Sequence, residues 1–122
     1  MNIDYVVTYL DPTDQYWLKQ FSKYHDEQFK SQPSRYDTDG VKHLKYNFRG
    51  IAKYMPWIHE LYLVVFSESQ VPDWVNRSTV KVVTDDMYIP EKFRPTFNTS
   101  TKQTHMQFIP GLEEHFIWAD DD

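Results

Sequence analysis

With 122 residues, a hydrophobic share of 40% and a charged share of 25%, the chain has the balance of a soluble globular domain and not of a disordered or fibrous one. The absence of cysteine rules out a disulfide framework, a thiolate metal site and a cysteine nucleophile. A net charge of -5 argues against nucleic acid as a partner, since nonspecific binding draws on clustered Lys and Arg.

Residues 3–10 (IDYVVTYL) are rich in β-branched and aromatic side chains and read as a buried first strand. Residues 1–10 contain no basic region leading into a long apolar run, so no signal peptide is expected. Asp11 is expected to cap a helix, with Pro12 at its first position and Asp14 in its first turn. Trp17, Leu18, Phe21, Tyr24 and Phe29 continue this helix at helical spacing to about residue 30. Residues 31–40 (SQPSRYDTDG) are polar and turn-forming and predict a mobile loop.

Val41, Leu44, Phe48, Ile51, Ala52 and Met55 give a second helical stripe that must stop before Pro56. Residues 59–66 predict the second strand, 72–75 a short helix, and 79–84 the third strand. Residues 85–97 read as a proline-punctuated loop, 100–108 as a helix, and 116–119 as the fourth strand. Strands separated by helices or long connections predict an α/β fold, a mainly parallel sheet covered on both faces. In such sheets ligands gather at the carboxyl ends of the strands. Those ends would hold Leu10-Asp11, Ser67-Glu68, Thr84-Asp85-Asp86 and Asp120-Asp121-Asp122.

Three constellations have residue types suited to chemistry. The first is acidic: Asp4 and Asp11 around the first strand, Asp85-Asp86 after the third, and Asp121-Asp122 after the fourth. Clustered carboxylates bind a cation or raise their own pKa values, and hard oxygen donors suit Mg²⁺ or Mn²⁺. Asp4 reads equally as a charge at the strand's start, and Asp85-Asp86 as the turn before Tyr88. The second is basic: Arg35, Lys42, Lys45, Arg49 and Arg94. Lys45 and Arg49 are four apart, so they either meet a phosphate together or form a solvated helix face. The third is His105 with Gln103 and Asn98. The remaining histidines, His25, His43, His59 and His115, have no zinc-site spacing. With 3 glycines there is no Gly-rich phosphate loop. An aromatic share of 17% offers flat faces for sugars or bases.

Several blocks carry a family resemblance. Ile3-Asp4-Tyr5-Val6-Val7-Thr8-Tyr9, with Asp11, Asp14 and Trp17, resembles the opening block of the Stealth family of sugar-phosphate transferases. Leu44-Lys45-Tyr46-Asn47-Phe48-Arg49-Gly50-Ile51 with Lys53-Tyr54-Met55-Pro56-Trp57-Ile58 looks like the start of its second block. Val71-Pro72-Asp73-Trp74-Val75-Asn76, Tyr88-Ile89-Pro90 and Pro95-Thr96-Phe97-Asn98 are similar to that block's middle. Ile109-Pro110-Gly111-Leu112, Phe116-Ile117-Trp118 and Asp121-Asp122 resemble its end. The resemblance thus divides the chain into a first block over 1–30 and a second over 41–122.

The resemblance implies a Rossmann-like, nucleotide-sugar-transferase-type three-layer core, here incomplete because later family blocks do not follow. It implies transfer of a sugar 1-phosphate from a nucleotide sugar of the UDP or CMP type to a glycan acceptor, in capsule or exopolysaccharide synthesis. By position, Asp4, Arg49 and Asp121 inherit catalytic roles, Lys45, Asn98 and His105 substrate contacts, and Asp121 and Asp122 a Mg²⁺ or Mn²⁺ ion. The 122 residues alone are then expected to turn over little substrate. The alternatives are a glycosyltransferase releasing nucleoside diphosphate and a non-catalytic carbohydrate-binding module. The expected setting is the cytoplasm, up to the inner face of the membrane, without a membrane span.

The chain departs from the family pattern in places. Gln103 stands for a frequent Glu, Gln107-Phe108 for a His-Arg pair, and Asp120 for the Asn of an Asn-Asp-Asp run. The turn Glu68-Ser69-Gln70 replaces one that carries Gly-His or Gly-Gln.

Overall fold

The computed structural model describes residues 1–25 and 40–120. Residues 31–39 of the loop expected over 31–40, with Arg35, the expected helical residue Phe29, and the carboxylates Asp121 and Asp122 lie outside these, whereas Gly40 belongs to a helix. Four strands form one parallel sheet: β1 (Ile3–Thr8), β2 (Leu61–Val65), β3 (Val80–Thr84) and β4 (His115–Asp120). Their order is β3-β2-β1-β4, so the chain reverses its direction of travel at β1, as in Rossmann-like sheets. β1 pairs with β4 from Ile3 against His115 to Thr8 against Asp120, and with β2 from Tyr5 against Leu61 to Thr8 against Val64.

Alternation along the strands sorts the core into two clusters. Val6, Tyr62, Val64 and Val83 point to one face, where Tyr88, Ile89, Met106 and Ile109 cover them. Val7, Leu63, Val65 and Val80 point to the other, packed against Leu44 and Ile51. Tyr62, Leu63, Val64 and Val65 of β2 are fully buried, and each of the three aliphatic side chains contributes roughly 1.5–3 kcal/mol. Occupation of both faces explains why β2 reads as an unbroken apolar run.

The second face is covered by helix α2 (Gly40–Tyr54). Leu44, Phe48 and Ile51 form its inward stripe, which Met55 continues just past its end, and it ends before Pro56, which has no N–H to continue the ladder. The first face is covered mostly by irregular chain between β3 and β4, with one short helix, α3 (Thr99–Thr104). Residues 106–108 make a separate tight turn of 3-10 helix, so the expected single helix over 100–108 is broken at His105. The expected helix at 72–75 is only a turn, closed by the Val75 N–H on the Pro72 carbonyl at 3.1 Å.

Helix α1 (Gln15–Tyr24) starts later than expected. Asp11 spends its carboxylate on the Thr13 backbone and hydroxyl, at 2.9 and 2.6 Å, forming a turn that contains Pro12. Capping falls to Asp14, which accepts from the Trp17 N–H at 3.0 Å. The helix stops at Tyr24, because His25 is already extended. Trp17 and Phe21 stack at 5.1 Å, and both meet Phe97 edge-on. Phe97 in turn stacks on Phe66, the residue following β2. These rings dock α1 above the carboxyl edge of the sheet.

Candidate functional site

A cleft of about 530 Å³ opens at the carboxyl ends of β2 and β3 beneath α1, a size typical of small-ligand sites. α1 contributes Tyr16 and Gln20, and the end of β2 contributes Phe66, Ser67 and Glu68. The end of β3 supplies Thr84, Asp85 and Asp86, and the following loop supplies Glu91 and Arg94. Ser67-Glu68 and Thr84-Asp85-Asp86 are expected at this edge from sequence, and the structure brings them together there.

Asp85 is the most perturbed of these groups. Asp85 is 4% exposed, and burial pushes its pKa up to about 6 against the opposing pull of Lys102 and Tyr88. Oδ1 lies 3.4 Å from the Lys102 Nζ and accepts from the Tyr88 hydroxyl at 3.4 Å. Oδ2 is buried without a hydrogen bond. Burial, reinforced by Asp85, also raises the Tyr88 phenol. Asp86 is exposed and accepts from the Thr84 hydroxyl. Glu68 is held below its usual range by the Arg77 guanidinium, 2.7 Å away. Arg94 carries a buried Nε with no hydrogen-bond partner.

The β1–α1 loop is tied to the β2–β3 loop by Gln70, a residue that sequence reasoning does not single out. Gln70 is 2% exposed. Its Oε1 accepts from the Asp11 N–H at 2.6 Å, and its Nε2 donates to the Asp11 carbonyl at 3.0 Å and to Asp14 at 3.3 Å. The Ser69 hydroxyl also donates to Asp14, at 2.9 Å. Nothing in a polar turn such as Glu68-Ser69-Gln70 marks which side chain folds inward.

The other expected site residues are dispersed. Asp120 stands exposed at the end of β4, where its Oδ1 accepts from the Thr8 hydroxyl at 3.1 Å. Asp121 and Asp122 lie outside the described residues, among which no group of three or more His, Asp or Glu is placed to hold a metal ion. Lys45 and Arg49 are exposed on α2, Arg49 lying 5.8 Å over the Tyr46 ring, and neither lines the cleft. Asn98 caps α3 through the Ser100 N–H at 2.8 Å. The His105 Nδ1 lies 2.7 Å from the Thr101 carbonyl, and its ring faces Phe93 and Phe108.

Asp4 lies apart from the cleft. It sits at the opposite, amino end of the sheet, about 13 Å along β1 from Thr8 at the rise of a strand. Fully buried, it accepts from the Glu60 N–H at 3.1 Å and the Glu113 N–H at 2.8 Å, with His59 Nδ1 at 2.9 Å. These bonds tie the chain entering β2 and β4 to β1. The position gives Asp4 a structural task.

Residues 35–122 match the family described as Stealth protein CR2, conserved region 2. The chain is 37% identical to the exopolysaccharide phosphotransferase cps2G of Lactiplantibacillus plantarum, over 99% of this chain and 35% of that protein. It is 30% identical to the capsular polysaccharide phosphotransferase LcbA of Aeromonas hydrophila, over 98% of this chain and 34% of the relative. It is 33% identical to the receptor polysaccharide phosphotransferase WefC of Streptococcus oralis, over 98% and 37%. The chain therefore spans about a third of the length of the curated relatives it matches.

Proposed function

The chain belongs to the Stealth family, and from that premise we propose that it serves transfer of a sugar 1-phosphate from a nucleotide diphosphate sugar to an acceptor glycan hydroxyl in capsule or exopolysaccharide synthesis. The observation that carries the reading is the parallel β3-β2-β1-β4 edge, which opens into a cleft at one side and presents Asp120 at the other. An open α/β sheet with this order binds ligands along that edge. The proposed setting is the cytoplasmic face of the membrane. No helix among the described residues is long and apolar enough to cross one.

In the proposed reaction the acceptor oxygen attacks the sugar-bearing phosphorus in line. A new P–O bond forms, the bond to the nucleoside monophosphate breaks, and the hydroxyl proton passes to a carboxylate. Asp121 is the carboxylate assigned to the reacting atoms. Asp120 shows that an oxygen donor at this strand end can be oriented by Thr8, and hard donors of this kind fit a hard divalent cation. Asp121 and Asp122 are the residues that would hold Mg²⁺ or Mn²⁺, which when bound offsets diphosphate charge. Lys45 and Arg49 are assigned to phosphate contact, and Asn98 and His105 to the sugar substrates.

The test is incubation with a UDP-sugar, an acceptor oligosaccharide and Mg²⁺, with products resolved by ³¹P NMR and binding followed by calorimetry. Slow release of UMP with a new phosphodiester supports the reading, and brisk turnover overturns the expectation that these 122 residues alone have little activity. UDP with a new glycosidic bond replaces it by a glycosyltransferase. Glycan affinity indifferent to nucleotide and to chelation of the metal assigns a binding module.

A further inference from the structure

The cleft is a poor phosphate site. Among its described lining residues, Glu68 is paired with Arg77 and Asp85 with Lys102, which leaves Asp86 and Glu91 facing a single guanidinium, Arg94. This excess of carboxylate repels a polyphosphate but accepts hydrogen bonds from neutral hydroxyls. Two further observations point to a hydroxyl-bearing ring. Tyr16 is half exposed, and its ring stands 6.3 Å from that of Phe66 at a 50° tilt, leaving an aromatic wall. Asp85, which lines the same cleft, has a buried oxygen with no donor, a cost that a ligand hydroxyl would relieve.

We infer that this cleft takes the nucleoside end of the donor, its base against Tyr16 and Phe66 and its ribose hydroxyls on Asp86 and Asp85. The phosphates then run along the edge toward Thr8 and Asp120. Three strand spacings separate β3 from β4, about 14 Å, which an extended nucleotide diphosphate can span. This inference rests on the sugar-phosphate transfer reading and adds to it the direction in which the donor lies.

The experiment is titration of the ¹⁵N-labelled chain with uridine, with UDP and with inorganic pyrophosphate, each with Mg²⁺. Uridine and UDP are expected to shift the amides of Tyr16, Phe66, Ser67 and Asp86, while pyrophosphate leaves them in place. Tyr16→Ala and Asp86→Asn should each weaken both nucleoside ligands by about tenfold, the scale of one lost stacking or charged hydrogen-bond contact. Tyr16→Phe keeps the ring and the affinity. Both sites are exposed, so the melting temperature should hold. Pyrophosphate shifting the cleft amides, or UDP binding that neither Tyr16→Ala nor Asp86→Asn alters, overturns the inference and leaves the transfer reading intact. Failure of both uridine and UDP to bind removes the nucleotide-donor reading itself, and this orientation with it.

Discussion

Gln70 grips the backbone of Asp11 from both sides, accepting its N–H at 2.6 Å and donating to its carbonyl at 3.0 Å. A single buried amide thus replaces the two hydrogen bonds that a strand neighbour would supply, at a point where the chain has already left the sheet. Gln70→Ala leaves both Asp11 groups without these partners and should cost about 2 kcal/mol in urea unfolding. Gln70→Glu should be no better at neutral pH, since the second oxygen would face the Asp11 carbonyl and the Asp14 carboxylate.

Asp85 predicts a stability slope with pH. Its folded pKa is raised from 3.8 to about 6, so between these values the folded chain holds a proton that the unfolded chain has released. Its stabilising share is complete below pH 3.8 and is lost as pH rises through about 6. The difference amounts to about 3 kcal/mol. Unfolding of the wild type and of Asp85→Asn across this range should show the slope in the first and its loss in the second.

Asp4→Ala should destabilise by about 4 kcal/mol, because two backbone N–H groups lose a charged acceptor together. A structural role also predicts that the folded fraction keeps wild-type uridine affinity. A loss of affinity at full folding would return Asp4 to the ligand site.

Gly111 occupies the left-handed region at φ 80, and a Cβ there would meet the Tyr62 hydroxyl at an ordinary 3.5 Å. Gly111→Ala should therefore cost about 1–2 kcal/mol from backbone strain alone. Gly111→Asn should cost less, since Asn tolerates this conformation better. Thermal or urea unfolding of the two variants checks the ranking.

The apolar runs make the sheet legible in the sequence: Val6-Val7 and Leu63-Val64-Val65 are buried on both faces and carry no other signal. The stripe from Leu44 to Met55 likewise specifies α2. What sequence leaves open lies in side chains with competing partners. Asp11 and Asp14 both suit an N-cap, and only the Asp11–Thr13 turn decides between them. Asp4 has the composition of a ligand, but strand direction puts it at the amino edge, where the loops entering β2 and β4 spend its oxygens. The cleft is half legible: the strand ends supply Ser67, Glu68, Asp85 and Asp86, whereas Tyr16 and Phe66 enter through the docking of α1, which periodicity does not specify.

The pairing of β1 with β4 also sets the order of events in folding. Thr8 and Asp120 are 112 residues apart, and closing a loop of that length costs about 4 kcal/mol before any contact repays it. β1 can meet β2 across a shorter span, so β1, β2 and β3 are the natural nucleus and β4 docks late. Weakening β4 should then quicken unfolding while leaving the folding rate nearly untouched. The strand that carries Asp120 to the proposed phosphate end would be the last to join the sheet and the first to leave it.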